Sequence, residues 1–136
     1  MAITYYSGNR VIDRNFGGVA YSPPVTFYFA LSTTTIAIDG TGATEPSGAN
    51  GYARVAFTND KTNWGTASNA SLTNAAAVTF AESTGSWGTI TTVFIADALT
   101  SGNIWWFDTL TPSRTVTSST TLLFAIGAIT VQMTNS

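Results

Sequence analysis

Apolar runs in this chain are short and are repeatedly cut by glycine, proline and small polar residues, which leaves little room for any architecture but β-strands joined by turns. The pattern is densest in two segments, GTGATEPSGANGYARVAFTND and VTFAESTGSWGTITTVFIADALTSGNIWWFDTL. Their glycines fall in polar turns, and tyrosines and tryptophans punctuate the β-branched runs between them. At 136 residues the chain is long enough for one domain, spanning 1–136, that buries roughly 68–70% of its unfolded surface. It contains no cysteine and no histidine, so packing and hydrogen bonds must supply its stability.

Alternation sets the expected strands. After Pro23 and Pro24 force an extended entry, Val25, Phe27, Phe29 and Leu31 alternate with Thr26, Tyr28, Ala30 and Ser32 as a half-buried strand. Glycines 40, 42, 48 and 51 together with Pro46 make residues 39–51 a loop. Alternation then resumes, with Ala53, Val55 and Phe57 on one face and Tyr52, Arg54, Ala56 and Thr58 on the other, so that Arg54 points to solvent or a partner. The following NDKTNWGTASNASLTNAA reads as irregular, anchored by Trp64, and residues 76–80 as a short strand. The run TITTVFIAD, after an SWG turn, is apolar enough for a central strand covered on both faces. Residues 99–102 form the turn to its hairpin partner at 103–110, and Pro112 ends that strand. Strand geometry places Trp105 and Trp106 on opposite sides, one in the core and one on an outer face. Near the end, Ile129, Val131 and Met133 alternate with Thr130, Gln132 and Thr134. About eight strands result, which suits an all-β, jelly-roll-like antiparallel β-sandwich over residues 22–136.

Residues 1–21 form an arm before the sandwich. Within it, SGNRVIDRNF at 7–16 predicts a short helix with Ser7 as N-cap, Gly17 and Gly18 as terminators, and Val11, Ile12 and Phe16 on one side. Tyr5, Tyr6, Arg10 and Arg14 bring tyrosine and arginine, the residue types enriched at interfaces, to the same segment. They are candidates for contact with a neighbouring subunit, against the plainer reading of an edge strand and capping helix. Tyr52, Arg54 and Trp105 join them as interface candidates, the alternative being that Tyr52 packs and Arg54 is a solvated face residue. Trp87, in TGSWGT, is a candidate sugar platform or, more simply, a core plug.

Charge excludes several functions. Seven acidic and five basic residues leave Arg10, Arg14, Arg54, Lys61 and Arg114 too few and too scattered for a nucleic-acid surface. Without histidine or cysteine there is no Ser-His-Asp or Cys-His arrangement and none of the usual nitrogen and sulfur ligands of zinc. Asp39, Glu45, Asp60, Glu82, Asp97 and Asp108 fall singly in or beside turns, without a two-carboxylate signature, and DGTGATE is too poor in acids for a calcium loop. We therefore expect no catalytic activity, no cofactor and no metal. The longest apolar stretch, LLFAIGAI at 122–129, is far below the roughly 18–20 residues of a membrane span. MAITYYSGNR lacks the basic start and apolar core of a signal peptide, so a product made in the cytoplasm is expected.

In order, GNRVIDRNFGGVAYSPPVTFYFALST, GYARVAFTND, VTFAESTGSWGTITTVFIADALTSGNIWWFDTL and TVTSSTTLLFAIGAITVQMT resemble a family of small tailed-phage virion proteins, labelled tail-fibre-like or head-decoration (cement) proteins. The resemblance covers nearly the whole chain. It departs from the family pattern at Ser118, Ser119 and Thr120, where members commonly carry a Gly-Asp pair. It implies a β-sandwich that oligomerises, often as a homotrimer, on the capsid exterior, where it bridges subunits of the major capsid protein and stabilises the mature head. The alternative it implies is a tail-fibre or tail-tip module that contacts a host glycan or protein. The surplus of aromatics over what one thin sandwich buries also favours a homotrimer, and nothing in the sequence favours a membrane or nucleic-acid partner.

Overall fold

A computed structural model describes residues 1–133. A five-stranded antiparallel sheet is built from β1 (Ala2–Ile3), β2 (Thr26–Ser32), β3 (Val55–Thr58), β6 (Gly88–Ala96) and β7 (Ile104–Val116), in the order β1-β7-β6-β2-β3. Two antiparallel ribbons face it, β4 (Ser71–Thr73) with β9 (Thr130–Gln132) and β5 (Val78–Thr79) with β8 (Leu123–Phe124). One helix, α1 (Tyr5–Phe16), lies between β1 and β2 in sequence. The all-β antiparallel sandwich class with a short N-terminal helix thus matches the expectation from alternation.

The main core fills the space between sheet and ribbons. Phe27, Phe29 and Leu31 of β2 and Ile90, Val93 and Ile95 of β6 meet Val78, Phe80 and Ile129 from the ribbon side. Phe29 is fully buried, edge-on to Phe57 at 5.1 Å between ring centroids and tilted against Trp64 at 6.0 Å. Trp64 anchors the irregular 59–70 part of the aperiodic 59–76 stretch, as its position there predicts, but the rest of that stretch is not irregular: it supplies β4 (Ser71–Thr73), which aperiodicity hid because only three residues pair with β9. On the opposite face a smaller cluster of Ala30, Phe94, Ala96 and Ile104 is covered by Ile36 from the 33–44 loop. That second cover is why β6 reads as a near-continuous apolar run.

Three local expectations are corrected. The helix begins at Tyr5 with Thr4, not Ser7, as N-cap; Thr4 Oγ1 accepts from the Ser7 amide at 3.4 Å and donates to the Ile104 carbonyl at 2.6 Å, while Ser7 is buried inside the helix. Since Thr4 both caps the helix and ties it to β7, Thr4→Ala should lower stability by about 1–2 kcal/mol in thermal unfolding, and Thr4→Ser should retain most of it. Secondly, β7 continues past Pro112 to Val116. The ladder passes from Thr92↔Thr109 to Ile90↔Arg114, so residues 110–113 leave it, and proline's missing N–H is tolerated there. Thirdly, Ile95 pairs with Trp106 and Ala96 with Ile104, leaving Trp105 as the extra residue of a bulge. The bulge cancels strict alternation, and both Trp105 and Trp106 pack against the main core.

The strand expected from residue 52 begins at Val55. Gly51, at φ 81°, turns the chain there, and a Cβ on it would come within 3.2 Å of the Glu82 carbonyl oxygen. In the 118–120 turn Ser119 takes the left-handed conformation at φ 62°, and its amide donates to the Ser83 carbonyl at 2.7 Å. At the other end of the chain, Ile129 is buried, Val131 half-buried and Met133 exposed; Thr134 lies outside the described residues.

Candidate binding surface

The seven interface candidates separate into a buried group and a surface group. Tyr52, Arg54 and Trp105 are internal: Tyr52 packs, as its alternative reading had it, while for Arg54 both the partner contact and the solvated face, and for Trp105 the partner contact, are corrected. The Tyr52 hydroxyl accepts from the Leu31 amide at 3.0 Å and donates to Glu45 Oε1 at 2.7 Å. Arg54 grips both oxygens of Glu45, through Nε at 2.9 Å and Nη2 at 2.8 Å, and its Nη1 donates to the Ala98 and Ser101 carbonyls at 2.6 and 2.8 Å. The guanidinium also lies 5.5 Å from the centroid of the Phe94 ring. Only 6% of the Arg54 side chain is exposed, so it works as a rivet joining the 45–54 segment to the β6–β7 turn. Burial pushes the Glu45 carboxyl up, but hydrogen bonds and charge from Arg54 and Tyr52 outweigh it and hold the group below its ordinary value. Tyr52 is driven well above the normal phenol range, chiefly by burial and further by the Glu45 carboxylate. The GYARV segment is therefore a structural latch, and spacing alone could not reveal it because Glu45 comes from the preceding loop.

Trp105 is buried by the bulge, with Phe27 edge-on at 5.3 Å, Tyr6 edge-on at 5.5 Å, and its Nε1 donating to Asp97 Oδ2 at 3.1 Å. Asp97 accepts in addition from the Asn103 amide and side chain. Desolvation raises its pKa, and these donors more than compensate, leaving a carboxylate held below its usual range as a turn acceptor. Trp87 is likewise a core residue, its Nε1 donating to the Asn50 carbonyl at 2.8 Å, so no sugar can stack on it.

The N-terminal candidates do reach the surface. Tyr6 is half-buried against Trp105, and Arg10 lies over the Tyr6 ring at 4.1 Å while donating to its hydroxyl at 2.5 Å. Tyr5 and Arg14 are exposed, Arg14 in the last turn where a cation suits the helix C-terminus. The side carrying Ile12 and Phe16 points away from the sheet, a reversal of the inward packing that an amphipathic pattern normally implies.

Between Tyr21, Trp106 and the 59–61 loop opens a cleft of about 350 Å³ that sequence reasoning did not identify. Trp64, Trp105 and Phe27 form its apolar floor, Tyr21 and Trp106 its half-exposed aromatic walls, and Asn59, Asp60 and Lys61 its polar rim. The Trp106 indole is fixed by donation from Nε1 to the Gln132 carbonyl at 3.2 Å. Asp60 Oδ1 accepts from the Thr62 and Asn63 amides, which orders the rim loop. Its signal was hidden because the lining residues come from six separate segments. Such a cleft offers flat aromatic faces bordered by a carboxylate and an ammonium group, and suits a ligand with both apolar and hydroxyl-bearing faces. Among the described residues no group of three or more His, Cys, Asp or Glu side chains is placed to hold a metal ion, and no helix is long and apolar enough to cross a membrane.

A comparison with curated proteins returns no match. A family model described as "Podophage GP4 fiber I protein gp80" matches residues 2–132, which takes in every strand, the helix and the cleft. The match supports a bacteriophage structural protein with a place in the virion, without singling out the head. The chain belongs to the podophage GP4 fibre I protein gp80 family.

Proposed function

We propose that this chain is a fibre module of a tailed-phage virion, acting as a homotrimer whose aromatic cleft engages a glycan of the host surface. The family match carries the fibre assignment, and the cleft supplies the binding chemistry. Sugars present C–H faces that stack on aromatic rings and hydroxyls that bond to polar rims, and Tyr21 and Trp106 line the same cleft as Asn59, Asp60 and Lys61. The fibre reading displaces head decoration as the first choice because the matched family is described as a fibre protein.

Trp106→Ala, which removes one wall, should lower adsorption of purified virions to host cells by about tenfold or more, the scale of an aromatic hot spot. Tm of the isolated protein should be measured alongside to show that the fold survives. Unchanged adsorption with an intact fold would overturn the glycan site. Quantitative mass spectrometry of virions tests the location: a small copy number relative to the major capsid protein fits a fibre, whereas near-stoichiometric abundance would return the chain to the capsid exterior as a decoration protein.

A further inference from the structure

Three large side chains of α1, Tyr5, Ile12 and Phe16, lie on the face turned away from the sheet; they are 59%, 55% and 88% exposed. Asn9, also exposed, falls between them. Positions 5, 9, 12 and 16 advance by four, three and four residues, and at 100° per residue they fall within about 60° of arc. This is the narrow seam of a coiled coil rather than the broad stripe with which a globular helix packs on its own domain. Val19, 56% exposed, takes the next step of three just beyond the helix end. The opposite face docks α1 on its own domain through buried Ser7 and through Tyr6 against Trp105.

We propose that this seam packs in parallel and in register against the same seams of the other copies of the chain around the axis of the homotrimer proposed above, and so forms the contact that holds the fibre module together. The four-three spacing is what helix-on-helix packing demands, because each side chain must drop into a hole on a facing helix. Asn9 argues for an identical partner. Buried against an apolar groove, its amide would lose its hydrogen bonds, whereas in a parallel, in-register pairing it meets another Asn9. The placement of charge argues against a lipid surface, since the helix's two arginines, Arg10 and Arg14, lie on the side away from the seam, and the residues that flank it, Asp13 and Asn15, supply no cationic border of an interfacial helix. A helix of 12 residues is too short to be stable alone, so the folded domain must present it: the Thr4 cap and the bond from the Tyr5 amide to the Ile38 carbonyl at 2.9 Å fix its start. The seam spans about 18 Å, so the association it supports is concentration-dependent unless further contacts add to it. The inference rests on the oligomeric part of the function proposed above.

Light scattering after size exclusion, from low to high micromolar concentration, tests it with the full chain and an Ile12→Asp/Phe16→Asp double variant. The wild type should be oligomeric and the double variant monomeric, and at a dilution where the wild type is also monomeric the two should unfold at the same Tm because both side chains are exposed in the single chain. Since the chain has no cysteine, Ile12→Cys and Arg14→Cys each supply a single reporter thiol. Under mild oxidation Ile12→Cys should link two chains at least about tenfold faster than Arg14→Cys, which lies on the other side of the helix. An oligomer that survives in the double variant would overturn the seam and leave the oligomeric reading standing. A wild type that stays monomeric, with equal cross-linking of the two thiols, would overturn both.

Discussion

Phe29→Ala should destabilise the protein by about 3–5 kcal/mol, a large share of the roughly 5–15 kcal/mol that holds an ordinary domain together. Phe29 is fully buried at the centre of the sheet's inner face, with Phe57 edge-on and Trp64 tilted against it. Both neighbours are themselves anchored. Phe57 sits in β3, paired with Phe27 of β2, and the Trp64 amide donates to the Asp60 carbonyl at 2.9 Å. The surroundings therefore cannot collapse into the space the ring leaves, and the cavity term adds to the lost transfer energy. Urea denaturation should show a lower midpoint with an unchanged slope. Phe16→Ala, which removes an equally large ring from a position 88% exposed, should leave the midpoint of the monomer nearly unchanged. A loss below about 1 kcal/mol at Phe29 would mean that the inner face is not close-packed.

Arg54→Ala should cost about 3 kcal/mol or more, because it strands the partners of a mostly buried guanidinium. Glu45 loses both of its charge-assisted donors, and the Ala98 and Ser101 carbonyls lose theirs. Arg54→Lys should recover only part of the loss, since an ammonium cannot reproduce the two-pronged contact with the carboxylate. The same latch gives stability a pH dependence. Folding holds the Glu45 pKa below its ordinary 4.5, so its contribution is fully present above that value and fades as pH falls through the lower folded value. Asp97, also held below its ordinary value, acts in the same direction. Acid titration of the unfolding midpoint should fall below about pH 4.5 in the wild type and fall less steeply in Glu45→Gln. A Glu45→Gln curve that parallels the wild type would remove the latch as the source of acid sensitivity.

The strands were legible wherever one side chain in two had to face a core. Phe27, Phe29 and Leu31 announce β2, and the near-continuous β-branched run from Ile90 to Ala96 announces a strand covered on both faces. Trp64 as an anchor and the 99–102 turn were equally clear, for each rests on a local choice of residue that its own conformation or burial enforces. The helix was legible as a helix, but the side it buries was not. A stripe of Tyr5, Ile12 and Phe16 looks the same in sequence whether it faces the chain's own sheet or another molecule.

Where a side chain ends up in space was decided by contacts between distant segments. One inserted residue in β7 turned Trp105 into the core beside Trp106, where strict alternation would have separated them. Arg54 became a buried rivet because a loop nine residues earlier delivers Glu45 and the β6–β7 turn delivers two carbonyls. The cleft exists only because Tyr21, Trp64, Trp106 and the 59–61 rim converge there from separate parts of the chain. The sequence by itself determined the class of fold, since hydrophobic periodicity and turn chemistry act over a few neighbouring residues. The tertiary structure alone decided which residues are buried latches and which form a binding surface, since burial and pairing depend on partners that the linear order keeps far apart.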